Sequence, residues 1–302
     1  MEKISRQGKF RKYMKKHWYG YVFILPIVIG VLGWNIYPMI ASMYYSFFDF
    51  NLTSSRFVGL KNYQYMFGEN WAQVFKSLLV TFKYGIISLP LNLVLSFSLA
   101  LFLNQKLKGM GVIKLLYYLP CILPGVVSGL MWRSVFSSTE YGLANQLLSS
   151  LGLPMLSFFD SASQAMGTAI FMGLWGIGGG MLMWLASIRN VPESLIESAR
   201  IDGAGYFRCL FSITIPMCTP MIFYNLVTSM IGIFQTFGTY VIVDGGGVDD
   251  SLLFFAIKIY QDAFTNSRMG YACAEAWLMF AIILVFTLIL FKTNKWVVSS
   301  EG

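Results

Sequence analysis

The chain has 302 residues, of which 56% are hydrophobic, 17% aromatic and 12% charged, a balance too apolar for a soluble globular domain and one that places it in a bilayer. Its formal net charge of +8 would suit nucleic acid, but seven of the 22 Lys and Arg residues crowd into the first sixteen positions, ahead of an apolar stretch, where they read as an orientation signal or a contact for anionic membrane lipid. The four cysteines, Cys121, Cys209, Cys218 and Cys273, fall in or beside apolar stretches without paired spacing, which argues against both disulfides and metal.

Residues 1–18 read as a basic tail. The apolar stretch 19–47 is too long for the core of a secretory signal and lacks a small-residue cleavage site, so it reads as a first transmembrane helix. Pro26 and Pro38 are tolerable there because neighbouring helices satisfy the freed backbone groups, and Tyr44, Tyr45, Phe47 and Phe48 form an interfacial belt. Residues 49–75 are polar and external. Five further apolar stretches, 77–103, 112–136, 164–187, 211–237 and 271–291, are each long enough for a helix of about 30 Å at about 1.5 Å per residue. The resulting organisation is a tail (1–18), a first helix with its external loop (19–72), a five-helix core (73–293) and a second tail (294–302). Six spans put both termini on one side, which receives 15 of the 22 basic residues, while the other side holds nine of the 14 acids; the basic side is therefore expected to be cytoplasmic.

Lys83, Arg133 and Glu275 fall near external ends, where a side chain can snorkel or meet interfacial water, and no charge falls at mid-span. The single histidine, His17, sits in the basic tail. There is no Ser/His/Asp group, no pair of carboxylates at mid-span, no His/Cys metal cluster and no phosphate-binding GxxxxGK[ST] loop, so no catalytic residue, no metal site and no directly bound cofactor is expected. If ATP drives the protein, another subunit binds it. The rivals are an ion-coupled secondary carrier acting alone and, behind it, a membrane-embedded enzyme.

The fourth stretch holds Gly173, Gly176, Gly178, Gly179 and Gly180, which either break the helix beside a cavity or let another helix pack closely; the two readings are compatible. The fifth carries Pro216 and Pro220, which should kink it, and then the polar run Asn225, Thr228, Ser229, Gln235 and Thr236, suited either to a neutral sugar or to bonding between helices. The loop 238–268 contains Val243-Asp244-Gly245-Gly246-Gly247 and Asp249-Asp250 without the closing Glu of a calcium loop, and reads as a flexible external docking surface.

Between the fourth and fifth stretches lies the polar passage 190–216. Asn190 or the turn before it can cap a helix whose first turn accepts Pro192. Leu195, Ile196 and Ala199 share one face and Glu193, Glu197 and Arg200 another; Gly203 ends the helix, and Ala204 and Gly205 keep the following turn thin. Glu197-Ser198-Ala199, Asp202-Gly203-Ala204 and Ile213-Thr214-Ile215-Pro216 resemble the EAA loop of bacterial ABC-importer permeases, with Ser198, Leu210 and Ile215 as departures from its usual Ala, Phe and Leu. Residues 57–67 (FVGLKNYQYMF) and 259–274 (IYQDAFTNSRMGYACA) resemble the sugar-permease branch, in particular the subunit similar to the larger maltose permease.

The resemblance implies an all-α, six-helix, non-catalytic permease half in the bacterial inner membrane. Its cytoplasmic loop would couple to an ATPase through Glu193, Glu197, Ser198, Ala199, Asp202, Gly203 and Ala204. Implied partners are a second related permease, two ATPase subunits carrying ATP and Mg, an external substrate-binding protein and a carbohydrate substrate. Alignment by the loop's prolines places Met172, Trp175, Gly176 and Gly179 at the contacts before the loop and Ser229, Ile233, Gln235 and Thr236 near those after it, with Asn225 on the same polar run. Only Gly176 and Ser229 keep the expected residue type, which argues against assuming maltose. A permease for an amino acid, phosphate or metal is the alternative within the class.

Overall fold

In hydrocarbon a backbone must satisfy its own hydrogen bonds, and this chain does so almost entirely with helices. The computed structural model describes residues 6–297 other than 52, 106 and 244, with the side chains of 6–16, 240 and 241 left aside. The basic side chains of the N-terminal tail, Lys106, Asp244 and residues 298–302 therefore lie outside the described parts. Among the described residues, four helices are long and apolar enough to cross a membrane: His17–Tyr45, Trp71–Leu103, Ala162–Arg189 and Met269–Lys292. Two bent pairs, Met110–Ile122 with Gly125–Val135 and Tyr206–Met217 with Thr219–Phe234, bring the candidates to six when each pair is counted as one broken span, as the third and the fifth.

The third span departs from the continuous helix expected over 112–136. It bends by 100° around Leu123, which is extended (φ −70°, ψ 131°) ahead of Pro124. Pro124 excludes the helical conformation for its predecessor, and Pro120 has already removed one backbone donor. The expected kink of the fifth span is present as a 66° bend at Cys218, between Pro216 and Pro220. In the fourth span the glycines tighten one turn, Ile177–Gly180, into a 3-10 helix between Ala162–Leu174 and Met181–Arg189.

Among the described residues there are three apolar cores: one gathers Met66, Val74, Leu78, Phe255 and Tyr271, and two others lie at opposite ends of the body. One joins the second and fourth spans to the third and to Leu252, Leu253, Phe254 and Ile257. The other gathers Ala100, Leu103, Met110, Trp184, Ile188 and Val191, with Trp184 Nε1 donating to Ser96 Oγ at 3.1 Å. The first span packs little: no residue of its apolar window is buried, and its end meets the last span, where Trp277 Nε1 donates to Ser42 Oγ at 3.3 Å. After it, strands Phe48–Phe50 and Ser55–Phe57 form an antiparallel hairpin with Phe48 opposite Phe57.

The loop 238–268 is not the flexible surface expected. Its apolar run Leu252–Ile257 supplies four large side chains, Leu252, Phe254, Phe255 and Ile257, with no exposed area, because a run of that composition must be covered. Glu275 also departs from the interfacial expectation: it is buried and bonded to Lys258, which is buried as well.

Candidate functional site

The polar elbow between the fourth and fifth spans folds as a helix, Glu193–Ile201, with Pro192 at its N-cap and Asp202 at its C-cap. Asn190, expected as a cap for this helix, instead ends the preceding one. The termination is a tight turn: the Asp202, Gly203 and Ala204 N–H groups donate to the carbonyls of Ser198, Arg200 and Ala199 at 3.0, 3.0 and 2.8 Å. Gly203 sits at φ +84°, the left-handed region where a side chain is strained. Helix Tyr206–Cys209 then leads into the fifth span.

No residue of the elbow helix is fully buried, and its apolar residues divide. Ile196 packs on the Ile188/Val191 core, whereas Ile201, Tyr206 and Phe207 stand 86%, 62% and 71% exposed beside exposed Glu193, Glu197, Ser198 and Asp202. Ala199 is half-buried and Ala204 likewise. The elbow thus presents an uncovered face with carboxylates and apolar side chains, while its inner face is seated on the ends of the spans.

A second site lies between the second, fourth and fifth spans, where a polar notch of about 220 Å³ is lined by Tyr84, Ser88 and Asn92, by Ile170, Gly173 and Leu174, and by Ser229, Ile233 and Thr236 among others. The structure brings Ser229, Ile233 and Thr236 together here. Met172, Trp175, Gly176, Gly179, Asn225 and Gln235 lie outside the lining. Met172 packs into the adjacent core, and Trp175 meets Trp132 edge-on at 5.4 Å between ring centres. The Gly176 carbonyl accepts a hydrogen bond from Cys121 Sγ at 3.6 Å, and a Cβ on Gly179 would sit 3.4 Å from the same sulfur. Asn225 donates to the Met221 carbonyl of its own helix at 2.9 Å, and Gln235 is exposed at the helix end.

The breaks of the third and fourth spans therefore touch. A Cβ on Gly178 would overlap the Tyr117 carbonyl oxygen, so the glycine run both breaks its helix and admits the neighbouring backbone. Sequence reading missed the second span's share of the notch. Tyr84, Ser88 and Asn92 repeat every fourth residue along an apolar helix and so fall on one stripe, a signal available without the structure. Within the lining, the side chains of Asn92 and Ser229 have no hydrogen-bond partner among the described residues; Thr236 Oγ1 has one, a 3.4 Å bond to the Gly232 carbonyl. Two uncommitted polar side chains facing a small cavity can bind a neutral hydroxylated solute.

Residues 92–297 match the family of binding-protein-dependent transport system inner membrane components. The chain is similar to the probable ABC transporter permease protein YesP of Bacillus subtilis, with 38% identity over 97% of this chain and 96% of that one. It is also similar to the trehalose/maltose transport system permease protein MalF of Thermococcus litoralis, with 29% identity over 91% of this chain and 93% of that one. Its fold matches, at a TM-score of 0.81 and 22% identity over 96% of this chain and 100% of the other, a chain of a bacterial ABC transporter that imports the acidic polysaccharide alginate. With four to six apolar candidate spans and an elbow seated on their ends, this chain belongs to the family of binding-protein-dependent transport system inner membrane components, as a non-catalytic ABC-transporter permease subunit.

Proposed function

We propose that the chain is one permease half of an ATP-driven importer for a sugar or oligosaccharide, coupled through its elbow to a cytoplasmic ATPase. The observation that carries this reading is the elbow itself: a glycine-terminated helix with an uncovered outer face and an inner face set on the core that joins the second, third, fourth and fifth spans. Force applied to Glu193, Glu197, Ser198, Ala199, Asp202, Gly203 and Ala204 would pass through Ile196 to the span ends. Closure of two ATPase subunits holding ATP and Mg would then rock the spans between outward-open and inward-open arrangements. A second, related permease completes the path, an external binding protein delivers the solute, and both termini face the cytoplasm, in keeping with the family description and the basic side of the chain. The trehalose/maltose relative and the neutral hydroxyl and amide groups of the notch favour a carbohydrate. This chain itself binds no cofactor in the scheme.

The test is binding-protein-stimulated ATP hydrolysis by the assembled complex in proteoliposomes. Glu197→Lys and Gly203→Pro should insert and assemble yet lose most of the stimulation. Full stimulation and transport in both variants would refute the lever.

A further inference from the structure

A larger cavity, of about 700 Å³, opens at the elbow end of the bundle and shares no lining residue with the notch. Its walls come from the ends of the second, third and fourth spans, the elbow helix and the start of the fifth span. Three cations, Lys114, Arg189 and Arg200, line it against a single carboxylate, Glu193. Among the described residues none of the three is in an ion pair; the pairs present involve Lys76 and Lys258. Arg189 Nε donates to Asn104 Oδ1 at 3.3 Å, which fixes the guanidinium and leaves its terminal amino groups uncommitted. Lys114 is half-buried on the third span, while Arg189 and Arg200 are exposed. Met110, Ile188 and Val191 give the cavity an apolar, buried wall.

Like charges that line one cavity repel one another, and an anion between them reverses the sign of that interaction. The geometry selects among anions. A guanidinium fork beside an ammonium suits a tetrahedral oxyanion with several acceptor oxygens, and an apolar wall beside that charge suits a carbon skeleton attached to it. Basic pockets between helices at the cytoplasmic side have the same character where lipid head groups bind.

We propose that this cavity binds a phosphate ester, its phosphate held by Lys114, Arg189 and Arg200 and its carbon portion laid on the Met110, Ile188 and Val191 wall. Because Arg200 rides on the elbow helix and the other two cations on the third and fourth spans, the bound phosphate ties the elbow to the span ends. Occupancy thereby sets how freely the elbow moves, a consequence that rests on the elbow being the coupling element. The phosphate has two possible sources with one chemistry: the head group of an acidic phospholipid in the adjacent leaflet, or a soluble phosphorylated compound.

The experiment uses the complete importer in lipid nanodiscs. In the first arm, discs of phosphatidylcholine containing phosphatidylglycerol are dissolved in mild detergent and lipid retained on the complex is counted by native mass spectrometry. In the second, complex in pure phosphatidylcholine discs is titrated with glucose 6-phosphate by calorimetry. Retained phosphatidylglycerol that is lost in a Lys114→Gln, Arg189→Gln double variant identifies the lipid source; sugar-phosphate binding weakened about tenfold or more in that variant identifies the soluble source. Lys114→Arg should preserve either signal, and unfolding midpoints without ligand show that the variants are folded. Binding of neither probe, or binding unaltered in the double variant, overturns the proposal. Glu197→Lys separates this from the coupling reading: it should lose stimulated ATP hydrolysis while retaining the phosphate ligand.

Discussion

Lys258 Nζ lies 2.6 Å from Glu275 Oε1, with only 2% and 0% of the two side chains exposed, and the same ammonium lies 2.6 Å from Asp262 Oδ2. The Tyr271 ring sits 5.4 Å from the ammonium, and Asn266 Nδ2 donates to Asp262 Oδ1 at 3.0 Å. One cation thus holds two carboxylates, and through them joins the buried run before the last span to the last span itself.

Removing that cation leaves two buried anions facing one another. Loss of one partner of a buried pair typically costs roughly 3–5 kcal/mol, so Lys258→Met should sharply lower the thermal unfolding midpoint of the purified protein in detergent, read by tryptophan fluorescence. Glu275→Gln should cost less, because Asp262 still pairs with Lys258. An unchanged midpoint in Lys258→Met would show that the triad bears no load.

Lys76 and Asp250 provide the contrast at similar geometry. Their side chains are 48% and 42% exposed at 2.9 Å, so water screens the pair and long side chains lose entropy in forming it. Lys76→Ala should change stability by no more than about 1 kcal/mol, and high salt should erase even that difference. A larger loss in the same unfolding assay would mean that the pair anchors the turn at Asp249 and Asp250, both of which adopt positive φ.

The positions of the spans and the bend at Cys218 were legible because hydropathy and proline act locally. The 100° bend of the third span was written in Pro120 and Pro124 but hidden by unbroken hydropathy across them. The Lys258–Glu275 pair was not legible: the residues are 17 apart, and a loop of that length fixes no partner until the last span packs. The elbow could be read as a helix and turn, since the left-handed position that ends it falls on a glycine, Gly203. The notch was half legible, Ser229 and Thr236 by polarity, Gly173 by the glycine run and the second-span stripe by spacing, whereas the share of Ile170 arises only when the fourth span is laid alongside.

Gly178 and Gly176 test whether the crossing of the two broken spans is a close backbone contact. A Cβ at Gly178 would overlap the Tyr117 carbonyl oxygen, while one at Gly176 has no neighbour nearer than 3.8 Å. Gly178→Ala should destabilise the protein by about 1–3 kcal/mol through overpacking, and Gly176→Ala should be close to neutral. Equal midpoints for the two variants would mean that the spans separate at this point without loss.

Asn92 and Ser229 face the notch without hydrogen-bond partners among the described residues, on helices packed against each other. A neutral hydroxylated solute passing there would offer each a partner, and one such bond is worth about 0.5–1.5 kcal/mol, or two- to tenfold in affinity. Asn92→Leu should therefore raise the KM for transport by about that factor, with Ser229→Ala following at the lower end, while ATP hydrolysis at saturating solute and binding protein stays near its original rate. The polar side chains already bonded within their own helix respond differently: Thr228, whose hydroxyl donates to the Tyr224 carbonyl at 2.9 Å, should tolerate Val with little effect on KM. Uptake by proteoliposomes containing the full complex measures all three, and a Thr228→Val effect as large as that of Asn92→Leu would move the solute's path away from the notch.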